Sequence, residues 1–409
     1  MIECTPENEQ AYAVFGRDVA ERAKAQRNRC SSMGVLHMVV TNPCAPDPRV
    51  ERHAAWLAEE GWEVTVHAFD RTMSHPETER RGRVLIRRHR VGAVPYGRPL
   101  RSSLGIRRFR KAVAQAIARE GGDVVYCHDA DTLPVGLKVA RRTPASVVFD
   151  MHDLHHTWLL MNAPSSLWRR AMSGALKRRM LRQARQCDAV VTSSGRLSKV
   201  GHGGLQDWLH AHGVQAVNVM NGSTSSGLPR KTEDRTSGTW TVGYVGRVRD
   251  HLAFEHLVSA IKSMPTDDRP KLHIAGDGVA VPFVQRLLDA NPDIKATLTG
   301  AFAGHELPLL VGTIDVMYAM YDPSRGNLTE GALPVKVFDA ARHGVPSVVN
   351  SGCLAADLVD RNGWGHHVAW GDVDRIATAF LALRSTVVED ADHLGDGRRR
   401  LIETVQRLA

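Results

Sequence analysis

The sequence predicts an α/β protein in which two Rossmann-like, doubly wound parallel-sheet domains face a central cleft. Short apolar segments alternate with helical segments in both halves of the chain, and this alternation is typical of βαβ units in a parallel sheet. Residues 221–238, NGSTSSGLPRKTEDRTSG, interrupt the alternation with a polar, unpatterned stretch that predicts a linker. At 409 residues the chain is also too long for one ordinary core.

These features predict five parts along the chain. They are an N-terminal appendage (1–33), a first domain (34–222), a linker (223–238), a second domain (239–395) and a C-terminal helix (396–409) that could pack back on the first domain. In open parallel sheets, ligands bind outside the carboxyl ends of the strands. Residues that directly follow a strand are therefore the candidates for a functional site.

Seven strands and an early amphipathic helix are predicted in the first domain. The helix is RVERHAAWLAEE (49–60), in which Val50, Ala54 and Leu57 share one face, and Gly61 ends it. The strands are VLHMVV (35–40), EVTVHAF (63–69), RVLIRRH (83–89), DVVYC (123–127), SVVFD (146–150), DAVVT (188–192) and AVNVM (216–220). In the second domain they are WTVGYVG (240–246), KLHIAG (271–276), ATLTG (296–300), DVMYAM (315–320), PSVVN (346–350) and HHVAW (366–370).

The segment LWRRAMSGALKRRMLRQAR (167–185) is predicted to be a helix with a basic outer face. We expect Leu167, Ala171, Ala175 and Leu181 to point inward and the arginines outward. Such a face could simply be solvated, or it could contact an anionic membrane surface or a polyanionic acceptor. Nucleic acid is not an expected partner, because the basic runs lack interleaved aromatic residues.

The bulk composition bounds the class of protein. A net charge of +9 favours anionic partners such as nucleotides and phosphorylated metabolites. The six cysteines show neither zinc spacing nor a disulfide framework, no apolar run approaches the roughly 20 residues of a membrane span, and the N-terminus is polar. We therefore expect a cytoplasmic protein, with peripheral contact at the inner face of the membrane left open. The Arg- and Ala-rich composition is typical of bacteria with GC-rich genomes.

Two glycine-containing turns in the second domain are candidate anion sites. In GYVGRVRD (243–250), Gly246 lets the backbone approach a ligand, and Arg247 and Arg249 could reach a phosphate. HIAGDG (273–278) places Gly276 in an equivalent turn after the next strand. Neither turn is a P-loop or a dinucleotide-binding fingerprint, so one such turn alone does not predict phosphate binding. The presence of both in the same domain does favour it.

A third candidate lies in GNLTEGALPVKVFDAARHGVPSVV (326–349). Pro334 suits the first turn of a helix, and His343-Gly344 before Pro346 ends it. Lys336 and Asp339, three positions apart, share a helix face close to the N-terminus, where anions are stabilised. Taken alone, the stretch also fits a capped surface helix.

Further candidates follow strands of the first domain. In YCHDADTLPVG (126–136), His128 emerges from a strand end and is expected to point into the cleft. DMHDLHHTW (150–158) supplies His152 and Asp153, and TNPCAPDPRV (41–50) supplies Asp47 and Arg49. We expect these four residues on the acceptor side of the cleft. A hydrogen-bonded loop is favoured over a metal site, because nothing resembles a closed zinc site.

These motifs together resemble the GT-B glycosyltransferases, and most of all the retaining enzymes of glycosyltransferase family 4. The resemblance covers about residues 35–390. It depends on DPRVERHAAWLAEEGWEVTV, DVVYCHDADTLPVG and VVFDMHDLHH in the first domain, and on VGYVGRVRD, LHIAGDG, IDVMYAM and LPVKVFDAARHGVPSVV in the second. It implies that the first domain binds the acceptor and the second a nucleotide-sugar donor.

Roles for single residues follow from the resemblance. Asp339 stands at the second acid of a paired-acid motif, which holds the ribose hydroxyls, and Glu330 is the nearest candidate for the first acid. Arg247 and Lys336 would bind the diphosphate, and His128 would reach the donor sugar. The chain departs from the family pattern in having eight residues between the acids rather than seven, and in lacking a double glycine in the loop 41–50.

The resemblance therefore implies a hexosyltransferase that moves a sugar from a nucleotide diphosphate, first of all UDP, to an acceptor hydroxyl with retention. A glycan, a glycolipid or a secondary metabolite could be the acceptor. No metal or other cofactor is expected if basic residues carry the charge of the diphosphate. Two alternatives remain: a sugar-nucleotide epimerase of the same fold, and a non-catalytic binding subunit.

Overall fold

An eight-stranded sheet forms the centre of the first domain. The computed structural model describes residues 33–92, 94, 99–160, 163–223, 231, 239–389 and 394–408. The strands are β1 (Gly34–Val40), β2 (Trp62–Phe69), β3 (Thr78–Arg81), β4 (Val84–His89), β5 (Val124–His128), β6 (Ser146–Met151), β7 (Ala189–Thr192) and β8 (Val217–Asn218). Their spatial order is β3-β4-β2-β1-β5-β6-β7-β8, and every pair is parallel except β3 with β4.

Helices cover this sheet. They are α1 (Pro48–Glu59), α2 (Pro99–Glu120), α3 (Leu133–Ala140), α4 (Leu167–Ala184) and α5 (Leu205–Ala211), with a short 3-10 helix at His155–Leu160. The start of α1 shows the local causes clearly. The Asp47 side chain accepts a hydrogen bond of 3.2 Å from the Val50 amide, and Pro48 occupies the first turn, where its missing N–H costs nothing.

The second domain has a six-stranded, fully parallel sheet. Its strands are β9 (Thr241–Val245), β10 (Lys271–Ala275), β11 (Ala296–Gly300), β12 (Val316–Ala319), β13 (Ser347–Asn350) and β14 (Gly365–Val368), in the order β11-β10-β9-β12-β13-β14. Its helices are α6 (His251–Ser263), α7 (Val281–Asp289), α8 (Leu307–Gly312), α9 (Val335–Arg342), α10 (Leu354–Asn362) and α11 (Val373–Leu383). The predicted architecture of two parallel-sheet α/β domains is confirmed.

The strand β3 is an element that the sequence pattern does not predict. Its sequence, TERR, contains no apolar residue, so it lacks the alternation that marks a half-buried strand. It forms because β4 offers an unpaired edge, on which TERR pairs antiparallel. A short, charged edge strand of this kind also discourages pairing with other chains.

The predicted orientation of α4 is wrong for its first half. Leu167, Ala171 and Ala175 are exposed, whereas Leu181 is buried as expected. The rotation of the helix is set by Ser173, whose hydroxyl donates a 3.0 Å hydrogen bond to the carbonyl of His156. Residues two positions from Ser173 lie about 200° round the helix, and therefore face solvent.

The two domains contact each other through loops and through the C-terminal helix. The Ser194 hydroxyl donates to the Gly331 carbonyl at 2.6 Å, and the Leu154 amide donates to Asn327 at 2.8 Å. Helix α12 (Leu394–Gln406) returns to the first domain, where Leu401 and Val405 join its core. Of the predicted appendage 1–33 only Met33 lies among the described residues, and most of the linker 223–238 lies outside them. Within the described part of the chain, no helix has the length and hydropathy needed to cross a membrane.

Candidate active site

Two adjoining cavities lie in the cleft between the domains. The first has a volume of about 970 Å³, and its walls include Gly246 and Asp339 of the second domain and Pro46 of the first. The second has a volume of about 730 Å³, and its walls include Tyr244 of the second domain and Leu160 of the first. Lys336 and Tyr321 line both cavities, so the two spaces meet at these side chains. Their combined size suits a ligand as large as a nucleotide sugar.

Glycines at the ends of β9 and β10 bring two backbone turns together beside the first cavity. Gly246 and Gly276 have φ values of +129° and +145°, a region that side-chain-bearing residues rarely adopt. A side chain at Gly276 would also collide with the Gly246 carbonyl oxygen. The Gly246 amide donates to the Ala275 carbonyl at 2.9 Å, which fixes the turn. Both positions therefore require glycine for structural reasons, and the turn that they form leaves backbone at the cavity wall.

Lys336 is a buried amine that has no hydrogen-bond acceptor among the described residues. It projects from the first turn of α9, is 8% exposed, and its Nζ lies 3.1 Å from the centroid of the Tyr244 ring. The Tyr321 ring centroid is 5.3 Å from the same atom. Burial lowers the pKa of Lys336 well below its usual value, and the attraction of Asp339 offsets only part of this effect. An anion bound in the cavities would supply the missing acceptor.

Asp339 follows on the same helix and lines the first cavity. Burial raises the pKa of its carboxyl group to about 6, although a hydrogen bond from Ser223 and the positive charges of Arg52 and Lys336 act in the opposite direction. The side chain is half-buried. It can therefore accept hydrogen bonds from hydroxyl groups of a ligand in the first cavity.

Arg247 and Arg249 lie at the second cavity, on the loop between β9 and α6. Arg247 is more than half exposed and forms a close ion pair with Asp277. The Arg249 guanidinium lies 4.7 Å above the ring centroid of Trp158, a residue of the first domain, in a cation–π contact that crosses the cleft. Arg247, Arg249 and Lys336 all line the second cavity, which therefore has three basic side chains in its wall.

Glu330 lies apart from these groups. It is exposed and lines neither cavity, and its loop is fastened to the first domain through Gly331 and Asn327. In the family pattern seven residues separate the two acids. Counted back from Asp339, the first acid would then stand at position 331, which is a glycine in this chain. Its φ is +101°, and a side chain there would collide with the backbone of Gly203 and Gly204. The structure therefore leaves no room for an acid at the position that the family spacing indicates.

A network of histidines around one carboxylate lies at the carboxyl ends of β5 and β6 in the first domain. Asp150 at the end of β6 lies 3.2 Å from His128 Nδ1, 3.1 Å from His152 Nε2 and 3.3 Å from His53 Nδ1. His128 is fully buried, and burial lowers its pKa despite the attraction of Asp150. For His152 burial acts in the same direction, but Asp129 and Asp150 outweigh it and raise the pKa to about 9. The raised pKa keeps His152 protonated at neutral pH, so that its Nε2–H can donate to Asp150. His128 Nδ1 lies within hydrogen-bond distance of both Asp150 and His152 Nε2, the latter at 3.1 Å.

This arrangement leaves one ring atom of His128 unpaired. In the tautomer whose Nδ1–H donates to Asp150, the proton-free Nε2 is a hydrogen-bond acceptor, and this atom is buried without a partner among the described residues. His128 itself lines neither large cavity. Nε2 is therefore an unsatisfied polar atom of the network, at the end of β5.

The side chains of Arg49 and Asp47 are engaged in contacts within the first domain and are not free to bind an acceptor. Arg49 donates to Asp150 at 2.6 Å and 3.0 Å, to the Val219 carbonyl at 2.7 Å and to Asn221 at 3.1 Å. Arg49 is 6% exposed. Its guanidinium group is therefore engaged in a buried ion pair with Asp150 and does not present a free surface to an acceptor. Asp47 caps α1 and accepts a further hydrogen bond from Asn42 at 2.7 Å.

Asp153 lies beside a third, smaller cavity in the first domain. This cavity has a volume of about 110 Å³, and Arg110 of α2, Asp131 and Arg179 of α4 also line it. Asp153 accepts a hydrogen bond of 3.0 Å from the Trp158 indole. It thus lines the small cavity between α2 and α4 and neither of the two large cavities.

Two groups of side chains among the described residues have a spacing that could hold a metal ion. One is the active-site group His128, Asp150 and His152, and the other is His37, His67 and Glu120. In the first group Asp150 already forms an ion pair with Arg49, whose fixed charge would repel a metal cation. The chemistry of this donor set therefore fits an orienting network better than a metal centre.

Asp150 is the functional candidate that sequence reasoning missed. The segment DMHDLHHTW attracts attention through its histidines, and Asp150 reads only as the last residue of a strand. Its partner Arg49 lies 101 residues earlier. One usable signal is its position, since an acid at the carboxyl end of a parallel strand lies at the edge where sites form. Tyr244, which faces Lys336, lies inside a strand and gives no such signal.

Comparison with known proteins places these features in a family. Residues 45–199 match the family described as Glycosyl transferase 4-like domain, and residues 239–386 match Glycosyl transferases group 1. The two matches together cover most of the chain; the first includes strands β2 to β7, and the second includes β9 to β14. No curated protein sequence matches the chain.

Solved structures share the architecture at low sequence identity. Sucrose-phosphate synthase from Thermosynechococcus elongatus superposes with a TM-score of 0.68 at 16% identity, over 90% of this chain and 94% of that one. HepE of Anabaena in complex with UDP-glucose gives 0.57 at 14% identity, over 92% and 98% of the two chains. An alpha,alpha-trehalose-phosphate synthase (UDP-forming) from Burkholderia vietnamiensis gives 0.55 at 12%, over 91% and 95%. These similarities establish the two-domain GT-B fold.

Proposed function

The chain belongs to the glycosyltransferases of the GT-B fold and the family 4-like type, and on this premise we propose that it transfers a sugar from a UDP-sugar to an acceptor hydroxyl with retention of configuration. One observation carries the proposal: the amine of Lys336 is buried where two large cavities meet, and no described residue offers it an acceptor. A buried polar group normally has a partner, and a diphosphate is the partner that the surrounding arginines also suit. The UDP-glucose bound to HepE supports the choice of nucleotide.

Donor binding would use the residues of the second domain. The diphosphate would lie against Lys336, Arg247 and the backbone turn at Gly246, with Arg249 adding charge from the rim of the second cavity. Asp339 would accept hydrogen bonds from the ribose hydroxyls. Because Glu330 is exposed and lines neither cavity, we assign it no contact with the donor. Water would be excluded where the loops of both domains close over the cleft.

The reaction would proceed by exchange of one bond at the anomeric carbon. The bond between that carbon and the β-phosphate oxygen breaks, and a bond to the acceptor oxygen forms on the same face. Lys336 and Arg247 would stabilise the negative charge that develops on the leaving diphosphate. The acceptor proton passes to a phosphate oxygen of the leaving group. His128 would hold a hydroxyl of the donor sugar through Nε2, with Asp150 fixing its tautomer.

A hexose is our proposed sugar, and a glycan, a glycolipid or a secondary metabolite our proposed acceptor. We further propose that no metal is needed, since three cationic side chains of the chain itself face the space for the diphosphate. The acceptor would enter from the first domain, near His152.

Thermal unfolding of the purified protein against UDP, GDP, dTDP and ADP, in buffer containing EDTA, tests the proposed donor class. A ligand at a hundred times its dissociation constant adds about 2.7 kcal/mol to the free energy of unfolding. We expect a large shift with UDP and UDP-sugars that EDTA leaves intact. If no nucleotide moves the transition, the donor site is wrong, and a non-catalytic binding subunit becomes the better interpretation.

The Asp339→Ala variant should bind UDP roughly tenfold to a hundredfold more weakly, because hydrogen bonds to a charged acceptor contribute about 1.5–3 kcal/mol. Folding stability should not suffer, since burial already disfavours this carboxylate and raises its pKa. Calorimetric titration with UDP measures the effect. Asp374→Ala, at an exposed position of α11, is the matched control. Unchanged affinity in Asp339→Ala would remove Asp339 from the site.

Replacing His128 by alanine should lower turnover more than donor affinity. We expect a loss of about 10- to 100-fold in kcat, because the hydroxyl contact at Nε2 matters most as charge develops on the sugar. Steady-state kinetics with a fixed acceptor and varied UDP-sugar separates kcat from KM. Full activity in His128→Ala would make His128 a purely structural member of the histidine network.

A further inference from the structure

The first half of α4 presents an apolar stripe to solvent. We use this term for Leu167, Trp168, Ala171, Met172, Ala175 and Leu176, which recur at the spacing of one helix face. Leu167 is 82% exposed and Trp168 is 72% exposed, while Met172 and Leu176 are each 37% exposed. Single exposed apolar residues are ordinary, but six on one face of a helix form a continuous patch, and such patches mark interaction surfaces.

Packing elsewhere on α4 accounts for this orientation. Ser173, Met180, Leu181 and Ala184 are the buried residues of the helix, and they hold its opposite face against the domain. Because Ser173 bonds to the His156 carbonyl, the stripe cannot turn inward without breaking that contact. Among the described residues, nothing covers the stripe.

Positive charge borders the stripe on both sides. The helix and its cap, residues 166–185, contain no Asp or Glu, and their exposed cations include Arg169, Arg170, Arg178, Arg179 and Arg182. Helix α2 lies across the small cavity that Arg110 and Arg179 share, and it adds an exposed Leu104 with its own cations, Arg107, Arg108 and Lys111. The exposed surface of α4 is therefore apolar along the stripe and cationic beside it, and Asp131 and Asp153 lie in the small cavity between α4 and α2.

We propose that this surface docks on an anionic phospholipid bilayer. Leucine, methionine and tryptophan side chains would enter the boundary between headgroups and acyl chains, and the flanking guanidinium groups would bind lipid phosphates. Charge complementarity selects this occupant: every exposed charged side chain of residues 166–185 is positive, which fits a surface that is uniformly negative. A protein partner would more often be matched by charges of both signs.

The docked orientation has a consequence for catalysis that rests on the proposed function. The chain that leads into α4 carries Leu160 and Pro164, which line the second cavity, and Trp158, which contacts Arg249. The exposed start of α4 thus lies only a few residues from the wall of the donor cleft. Docking would place the mouth of the cleft beside the bilayer, and the acceptor would be a lipid that bears a hydroxyl group at the membrane surface.

Co-sedimentation with vesicles tests the docking. Vesicles of phosphatidylcholine alone and vesicles with one third phosphatidylglycerol are compared, at low and high salt. We expect binding only to the anionic vesicles and weakening by salt. Combined Leu167→Ser, Trp168→Ser and Met172→Ser substitutions should reduce binding by roughly tenfold or more. Arg169→Gln with Arg170→Gln should reduce it by about fivefold for each charge.

Matched controls use exposed residues elsewhere. Val200→Ser with Leu309→Ser removes apolar side chains, and Arg375→Gln with Arg407→Gln removes cations, and neither pair should change vesicle binding. Equal binding by the stripe variant and the wild type would overturn the proposal. So would a wild type that ignores anionic vesicles, or one that dimerises through the stripe in analytical ultracentrifugation.

Donor binding separates this inference from the proposed function. The stripe variant should keep the UDP-induced shift in thermal unfolding, which also shows that it is folded. Loss of vesicle binding with that shift retained supports docking. A wild type that binds anionic vesicles through the stripe but no nucleotide supports the docking surface and removes the proposed function. A wild type that binds UDP but no anionic vesicles supports the proposed function and removes the docking surface.

Discussion

Replacing Lys336 by methionine should abolish most donor binding while leaving the free protein as stable as before or more stable. Methionine keeps the length of the side chain and fills the space between Tyr244 and Tyr321. It removes a buried amine that has no acceptor in the described part of the chain, and burying such an amine is unfavourable in the empty site. Loss of one partner from a buried charge contact costs about 2–4 kcal/mol of binding, or roughly 30- to 1,000-fold in affinity. Calorimetric titration with UDP and thermal unfolding of the free protein measure the two effects.

The opposite signs of the two effects make this test specific. Most core substitutions lower stability, so a variant that binds poorly because it is damaged would unfold at a lower temperature. Lys262→Met, on the exposed side of α6, is the matched control and should change neither quantity. Normal UDP affinity in Lys336→Met would show that the diphosphate lies elsewhere, and the function proposed from this amine would lose its main support.

Lys336 also predicts how donor binding depends on pH. Burial lowers the pKa of the free amine well below its usual value, so that above this lowered pKa the amine is neutral in the empty site. A bound diphosphate favours the charged form and raises the pKa, and binding therefore takes up as much as one proton. Affinity should fall as pH rises through the basic range. Titrations at pH 8 in two buffers of different ionisation enthalpy count the protons, and Lys336→Met should take up none.

The second large effect is expected at Asp150, where Asp150→Ala should lower the free energy of unfolding by about 3–5 kcal/mol. The substitution leaves the guanidinium of Arg49 buried without its carboxylate. It also frees His128 and His152 from their common acceptor, so turnover should fall in whatever protein remains folded. Chemical denaturation measures stability, and steady-state kinetics measures turnover. The double variant Arg49→Met with Asp150→Leu should recover much of the stability and none of the activity.

Acid sensitivity provides an independent readout for Asp150. Burial alone would raise its pKa, but Arg49 and the imidazoles outweigh burial and hold the pKa well below its ordinary value. The stability that this carboxylate contributes is therefore fully present above its unfolded pKa of about 3.9 and is lost as pH falls through the folded pKa. The wild type should lose more stability below pH 4 than the double variant. Identical acid unfolding of the two proteins would show that Asp150 is not the charged centre of the network.

Features encoded within a few residues were open to prediction from the sequence. The turn glycines Gly246 and Gly276 follow strands whose apolar runs mark them clearly. Lys336 and Asp339 share a face because three positions make most of a helical turn. The two-domain architecture follows from the alternation of such segments. This prediction does not depend on which strands are neighbours in the sheet.

Features that depend on distant partners were not open to prediction in this way. Leu167, Ala171 and Ala175 have the spacing of a buried face, yet Ser173 and the 3-10 helix at 155–160 turn that face to solvent. The spacing of the acids points to Glu330, but the contact of Gly331 with Gly203 and Gly204 leaves Glu330 at the surface.

The sequence by itself determined where strands end, where glycine is required and which charges lie near the start of α9, because each depends on neighbours along the chain. Only the tertiary structure decided that Arg49 pairs with Asp150, that the Lys336 amine lies over the Tyr244 ring, and that an apolar stripe of α4 faces outward. The physical reason is that burial and pairing belong to groups brought together across many residues. A periodic pattern predicts that a helix has an apolar face. The packing of the whole domain determines whether that face is buried against the core or exposed to solvent.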